Sequence, residues 1–343
     1  MQRLIRIKEA GICIENGRAR YNLYNAKGGL YAVKGCVLPS RSRSMEFYVL
    51  RSELPEDADL PESQTAQAVG LSSEFSSGAD ALFLRTGAVS LPAADVYKAA
   101  MDELTSIFNG NPSPDEIIRN CTDVVEKSFA LDYADLYLCN RAFSSFDSGT
   151  ARHSFSVYCL FCDTLFYIRK QEKTDYFFDL FKRKGLSVNF SSGQIRKYAL
   201  GALLHDIGKI RIPVSVLEKP GVLNAEESAL VRKHVLFGLE ILNEIGENSK
   251  EMRQMIANHH PAYPVFPDEE NSPLVQILSI VDIYDACRTA RSYKKALPFE
   301  ECIGILRRNQ EQYHWDVRLL NMVIEGTLKR FELRYEALNN APV

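Results

Sequence analysis

The period of the hydrophobic pattern changes once along this chain. Up to about residue 90, apolar and polar residues alternate, as in "LIRIKEAGICIENGRARYNLYNAKGGLYAVKGCVL". "ENG" and "AKGG" stand there where hairpin turns belong. "MEFYVLR" and "DALFLRTG" are two further strand candidates. Between them, a stretch near 54–79 rich in Ser, Ala, Pro and acids reads as a long mobile loop. From about residue 91 the period becomes helical, beginning with "PAADVYKAAMDELTSIF". "SPDEIIRNCTDVVEKSFA" follows, with Ser113 as cap, Pro114 next and acids in the first turn. Helical segments then continue almost to the end. The pattern predicts an α+β two-domain chain. A small β-rich N-terminal domain spans residues 1–90, a helical connector 91–140, and an all-helical bundle 141–335.

At 343 residues the chain is long enough for two domains with a core each. Its formal net charge of -3 argues against binding a nucleic-acid polymer or an anionic membrane. No run approaches the roughly 18 apolar residues of a membrane span. Charged residues interrupt "MQRLIRIKEAGICIENG", which therefore does not read as a signal peptide. The eight cysteines are scattered, mostly beside apolar neighbours, which suits reduced thiols in a cytoplasm. Cys159 and Cys162 form a CxxC with no second pair at zinc-finger spacing, and read as helix core.

Candidate chemistry gathers in the helical part. All six histidines fall there, and five of them lie in its helical segments: His153, His205, His234, His259 and His260. Asp206 follows His205 in "LLHDIGK", and Asp282 lies among apolar residues in "SIVDIYDA". One buried histidine is usually a satisfied core residue. Five with two aspartates suit iron, manganese or zinc, and a carboxylate can bridge two ions. A buried Asp beside Ile280, Val281 and Ile283 is costly unless it is paired or metal-bound. Lys209, one helical turn past the His-Asp pair, is poorly suited as a ligand and well placed to hold a phosphate oxygen against metals. Asn224 caps the helix that carries His234.

These motifs, in this order, resemble one family. "HDIGKIRIP", "LEKPGVLNAEESALVRKHVLFGLEIL", the HH pair and "VDIYDACRTARSYKKAL" are similar to the HD-GYP phosphodiesterases over about residues 145–330. That family is a branch of the HD-superfamily metal phosphohydrolases. The resemblance implies a cytoplasmic enzyme of bacterial second-messenger signalling. It would hydrolyse cyclic di-GMP to pGpG and GMP by a hydroxide bridging two divalent ions, iron or manganese, about 3.5–4 Å apart. The family's upstream pattern "YTxxHSxxV" falls on His153 in "GTARHSFSV". By resemblance, Asp206 bridges the ions. His153, His205 and Asp282 complete one sphere, and His234, His259 and His260 the other. Some members hold a third metal with a glutamate; its position here is Gly149, which implies two metals. Catalytic roles fall to Asp206 and Lys209. Substrate contacts fall to Lys209, Tyr263, Arg291, Lys294 and Lys295, the last three matching the family's "RPYRKAL". Asp285 would be a hydrogen-bond partner of the ligands. His314 and Trp315 resemble a packing turn, with His314 at the surface.

The chain also departs from the family. "HHExxDGxGYPxGLxGxxIP" becomes "HHPAYPVFPDEENSP", which keeps Tyr263 and Pro264 but replaces the first glycine of GYP by Ala262. About five residues are gone, including the DG turn. Glycines there supply positive φ, which Ala and Pro cannot copy cheaply, so another loop path is expected. "RKQEKTDYFFDLFKRKGLSVNFSSG" looks like an insertion at the rim. Three readings stand side by side. The complete ligand set favours a cyclic di-GMP phosphodiesterase. The lost DGxG favours a catalytically weak or inactive module that binds cyclic di-GMP or a partner such as a diguanylate cyclase. The altered loop favours an HD hydrolase of another nucleotide or phosphoester. Residues 1–90 read as regulatory, and the 91–140 helices as connector and homodimer interface.

Overall fold

A computed structural model describes residues 91–129, 131–142, 149–170, 179–180, 182, 190–219, 221–267, 272–289 and 296–339, together with six strands between residues 4 and 50. The chain divides into two units. One is Met1–Asp95 with Arg141–Phe143 and Ala337–Val343, and the other is Val96–Asn140 with Ser144–Glu336.

In the first unit, β1 (Leu4–Ile7) pairs antiparallel with β6 (Phe47–Leu50), setting Leu4 opposite Leu50. β6 also pairs with β4 (Leu23–Tyr24), and β4 with β5 (Leu30–Ala32). β2 (Ile14–Glu15) and β3 (Arg18–Ala19) form a separate ladder. This corrects the α+β two-domain expectation. The described chain is about four-fifths helical, as an all-helical fold requires. The strands run only two to four residues and do not amount to a β-rich domain. Alternation at period two marks where a chain can pair, but it does not fix how far the ladder extends. The strand expected in "DALFLRTG" and the loop near 54–79 lie outside the described residues.

The second unit is helical, and the ends of three of its helices fall in the first. α1 spans Leu91–Asn109, α2 Pro114–Ser128 and α3 Tyr133–Ala142. α4 spans Gly149–Lys170, α5 Ser192–Leu203, and a 3₁₀ turn follows at Ile207–Arg211. Then come α6 (Val214–Leu217), α7 (Ala225–Arg232), α8 (His234–Ile245) and α9 (Lys250–Asn258). α10 (Pro273–Arg288), α11 (Phe299–Tyr313), α12 (Val317–Val323) and α13 (Lys329–Asn339) complete the order. α2 starts on the expected cap: Ser113 accepts from the Glu116 amide and Glu116 bonds back to the Ser113 amide. Asn224 and Glu227 repeat the device at α7. The helix expected to run from Asn224 through His234 breaks at Lys233, and His234 opens α8.

α4 and α10 are buried on nearly every side and lie packed together in the bundle. Around them pack α5, α9 and α11. The 3₁₀ turn lies on α8. Tyr97 and Phe155 meet edge-on at 5.6 Å, and Tyr158 bonds Ser128 at 2.5 Å. Cys159 and Cys162 lie fully buried in α4 with unbridged thiols, and burial raises both thiols. Trp315 is buried while His314 is exposed in the left-handed region, φ 53°, at the end of α11. Among the described residues no helix is long and apolar enough to cross a membrane.

Candidate metal centre

Five of the seven expected ligands sit at helix ends, where the last carbonyls lack partners within the helix. His205 follows α5, and its Nδ1 donates to the Ala202 carbonyl at 2.8 Å. His234 follows α7 and donates likewise to Val231 at 2.7 Å. His259 caps α9 and donates to Ile256 at 2.9 Å. Each bond reaches back three residues and places the proton on Nδ1. Each therefore leaves the Nε2 lone pair free, as a metal ligand must be. The three Nε2 atoms converge on Asp206. His205 Nε2 lies 3.4 Å from Oδ2, while His234 and His259 Nε2 lie 3.3 and 3.9 Å from Oδ1.

The other ligands come from the central helices. His153 on α4 has Nε2 2.9 Å from Asp282 Oδ1 and 3.7 Å from Asp206 Oδ2. Its Nδ1 donates to Asp285 Oδ2 at 2.7 Å, the role expected of Asp285. His260 Nδ1 lies 3.6 Å from Asp282 Oδ2. Two groups result, each with its ligand atoms within 4.8 Å of one another. One is Asp206, His234, His259 and His260; the other is His153, His205 and Asp206. Asp206 belongs to both.

The centre is largely buried and its charges are mutually supported. His205 and His259 are 0% exposed and Asp206 1%. Burial would push the Asp206 carboxyl up, but Lys209 and the neighbouring histidines hold it well below the usual carboxylate range. Asp282 is likewise opposed by burial and held low by His153. Burial pushes His153 down, yet hydrogen bonds to Asp282 and Asp285 outweigh it and raise the ring to about 9. Burial lowers His234 and His259, and brings His260 to about 4, so these three rings are neutral at pH 7. The His205 Nε2 and Asp206 Oδ1 atoms are buried without a hydrogen-bond partner. Unpartnered buried nitrogen and oxygen donors aimed at one spot fit a divalent transition metal.

Lys209 sits one turn past the pair, with Nζ 2.5 Å from Asp206 Oδ2. Tyr263 lies against His260, ring centroids 4.8 Å apart. Arg291, Lys294 and Lys295 lie outside the described residues. Sequence reasoning missed Arg232, whose guanidinium stands 5.9 Å over the Tyr263 ring, and Asn258, which ties down the loop after the histidines. Arg232 lies within a quoted motif that gives it no role, and Asn258 lies outside every motif. Asp285→Ala is expected to lower metal affinity about 10–100-fold by freeing the His153 ring, as read by a manganese titration.

Residues 160–319 match the HD domain family, a span that holds every expected ligand except His153. The chain is 35% identical over 129 residues to the 3′3′-cGAMP-specific phosphodiesterase 2 of Vibrio cholerae, covering 36% of this chain and 24% of that one. It is 32% identical over 146 residues to the cyclic di-GMP phosphodiesterase response regulator RpfG of Xanthomonas campestris, covering 40% and 38%. It is 35% identical over 138 residues to a cyclic di-GMP phosphodiesterase of Pseudomonas aeruginosa, covering 38% and 33%. The chain thus spans less than two fifths of the length of each of these relatives.

Proposed function

We propose that this chain, whose residues 160–319 match the HD domain family, is a metal-dependent phosphodiesterase of cyclic dinucleotides. The observation that carries the reading is that two ligand groups meet in the one carboxylate of Asp206. The proposed ligands are His153, His205, Asp206, His234, His259, His260 and Asp282, for two ions, iron or manganese. Bound metal supplies a Lewis acid for the phosphoryl oxygens and lowers the pKa of water. The chain's own residues do the rest. Asp206 draws the two halves of the centre together. Buried His205, His234 and His259 exclude bulk water and strengthen every charge interaction there. Lys209, held at Asp206, offers a fixed cation to the phosphoryl group. Catalysis is assigned to residues 141–335, with cyclic di-GMP as the first substrate to test. The relatives named for 3′3′-cGAMP make that dinucleotide the second.

The test is direct. The protein is loaded with manganese or ferrous iron under reducing conditions, its metal is counted, and both dinucleotides are followed by chromatography. Two metals with linear product support the proposal. Bound metal with no turnover of either substrate overturns it, and tight binding without product would favour a binding module. Lys209→Ala is expected to keep its metal and lose about 10²–10³-fold in kcat.

A further inference from the structure

The segment after the histidine pair closes on itself without glycine. Pro261, Ala262 and Pro264 stand in it, and no described residue from 259 to 267 has positive φ. Backbone turn chemistry of the glycine kind is therefore not what closes it. One buried side chain is. Asn258, 1% exposed, donates from Nδ2 to the Phe266 carbonyl at 3.1 Å and accepts the Phe266 amide on Oδ1 at 3.0 Å. Its amide thus acts as one rung of a backbone ladder. The Val265 amide adds a bond to the Ala257 carbonyl at 3.3 Å, and the Tyr263 amide one to the His260 carbonyl at 3.1 Å.

This closure decides what stands at the mouth of the centre. The side chains of the other six ligands are at most 7% exposed, whereas that of His260 is 24% exposed. The centre therefore opens beside His260, and the Tyr263 ring lies there at 4.8 Å and 36° to it. The exposed Arg232 stands over the same ring, its guanidinium 5.9 Å from the centroid. Aromatic rings and guanidinium planes are the groups on which nucleobases stack.

We propose that Asn258 is the positioning residue of the substrate mouth. It holds the shortened loop so that Tyr263 presents a stacking face to a purine of the dinucleotide, with Arg232 moving outward to cover that base. The substrate part rests on the phosphodiesterase reading; the loop closure does not.

The experiment uses the full chain and four variants: Asn258→Ala, Asn258→Asp, Tyr263→Ala and the Ala–Ala double. Amide exchange over residues 259–267, read by mass spectrometry, is expected to quicken about tenfold or more in Asn258→Ala. Metal content stays unchanged. KM for cyclic di-GMP rises about tenfold or more in both single alanine variants, with kcat within about threefold, as the loss of one stacked base requires. The double variant is no worse than either single, because both remove the same contact. Asn258→Asp keeps the acceptor half and falls between. Unchanged exchange overturns the closure. Multiplying KM effects, or metal loss in step with KM, overturn the positioning role. If the parent turns over neither dinucleotide, the phosphodiesterase reading fails. Exchange still decides the closure, and calorimetric binding of cyclic di-GMP to the same variants then decides the mouth.

Discussion

Asp206→Ala is expected to abolish the proposed hydrolysis, by about 10⁴-fold or more, and to reduce bound metal from the proposed two ions to at most one. No other residue belongs to both ligand groups. Its Oδ1 faces His234 and His259, and its Oδ2 faces His205, His153 and Lys209. Without it, three buried imidazoles converge on a spot with no carboxylate, and Lys209 loses its partner. Asp282→Ala is the informative contrast. Asp282 lies in neither ligand group but 2.9 Å from His153, so its removal disturbs the His153 side it is proposed to complete and leaves Asp206, His234, His259 and His260 intact; about one ion should remain. Elemental analysis of both variants, beside product chromatography, checks the pair. Full metal content in Asp206→Ala would show that the carboxylate is not shared.

The second large effect lies in a residue that touches no ligand atom. Gly208→Ala is expected to destabilise the protein by about 3 kcal/mol and to weaken metal binding with it. A Cβ at 208 would meet the His234 carbonyl at 1.9 Å and the Gly238 amide at 2.5 Å. Both are backbone atoms of α8, so no side chain can swing aside. The 3₁₀ turn would have to lift off α8, and the 3.3 Å approach of Asp206 to His234 would open. Gly149→Ala serves as control. Nothing lies within 4 Å of a Cβ there, and the site is exposed helix, so stability should change by less than about 0.5 kcal/mol. Urea midpoints for the two variants, with metal counts, decide the matter. An unaltered midpoint in Gly208→Ala would refute the close backbone contact.

The helical half of this chain was legible because its signals are local. Ser113 and Asn224 cap the helices that their spacing announces, each with a glutamate three residues on. The break at Lys233 was not legible. "VRKHVLF" carries no Pro or Gly, and His234 begins a new helix through contacts made elsewhere in the bundle. The N-terminal alternation misled. It marked short pairings, such as Leu4 with Leu50, and was read as a whole domain.

The amino-acid sequence by itself determined which groups a metal centre here could use. Histidine, aspartate and lysine occur in it in an order that resembles one hydrolase family, and no folding could supply other donors. The tertiary structure decided what those groups do. It turned Nδ1 of His205, His234 and His259 onto carbonyls at helix ends, and so aimed Nε2 inward. It set Gly208 against Gly238, which puts Asp206 between two helices. It gave Asn258 the closing of a loop that holds no glycine. Spacing governs neighbours three or four residues apart on one element. Contacts such as His153 with Asp282 join segments far apart in the chain, and only the packing of the whole core fixes which face meets which.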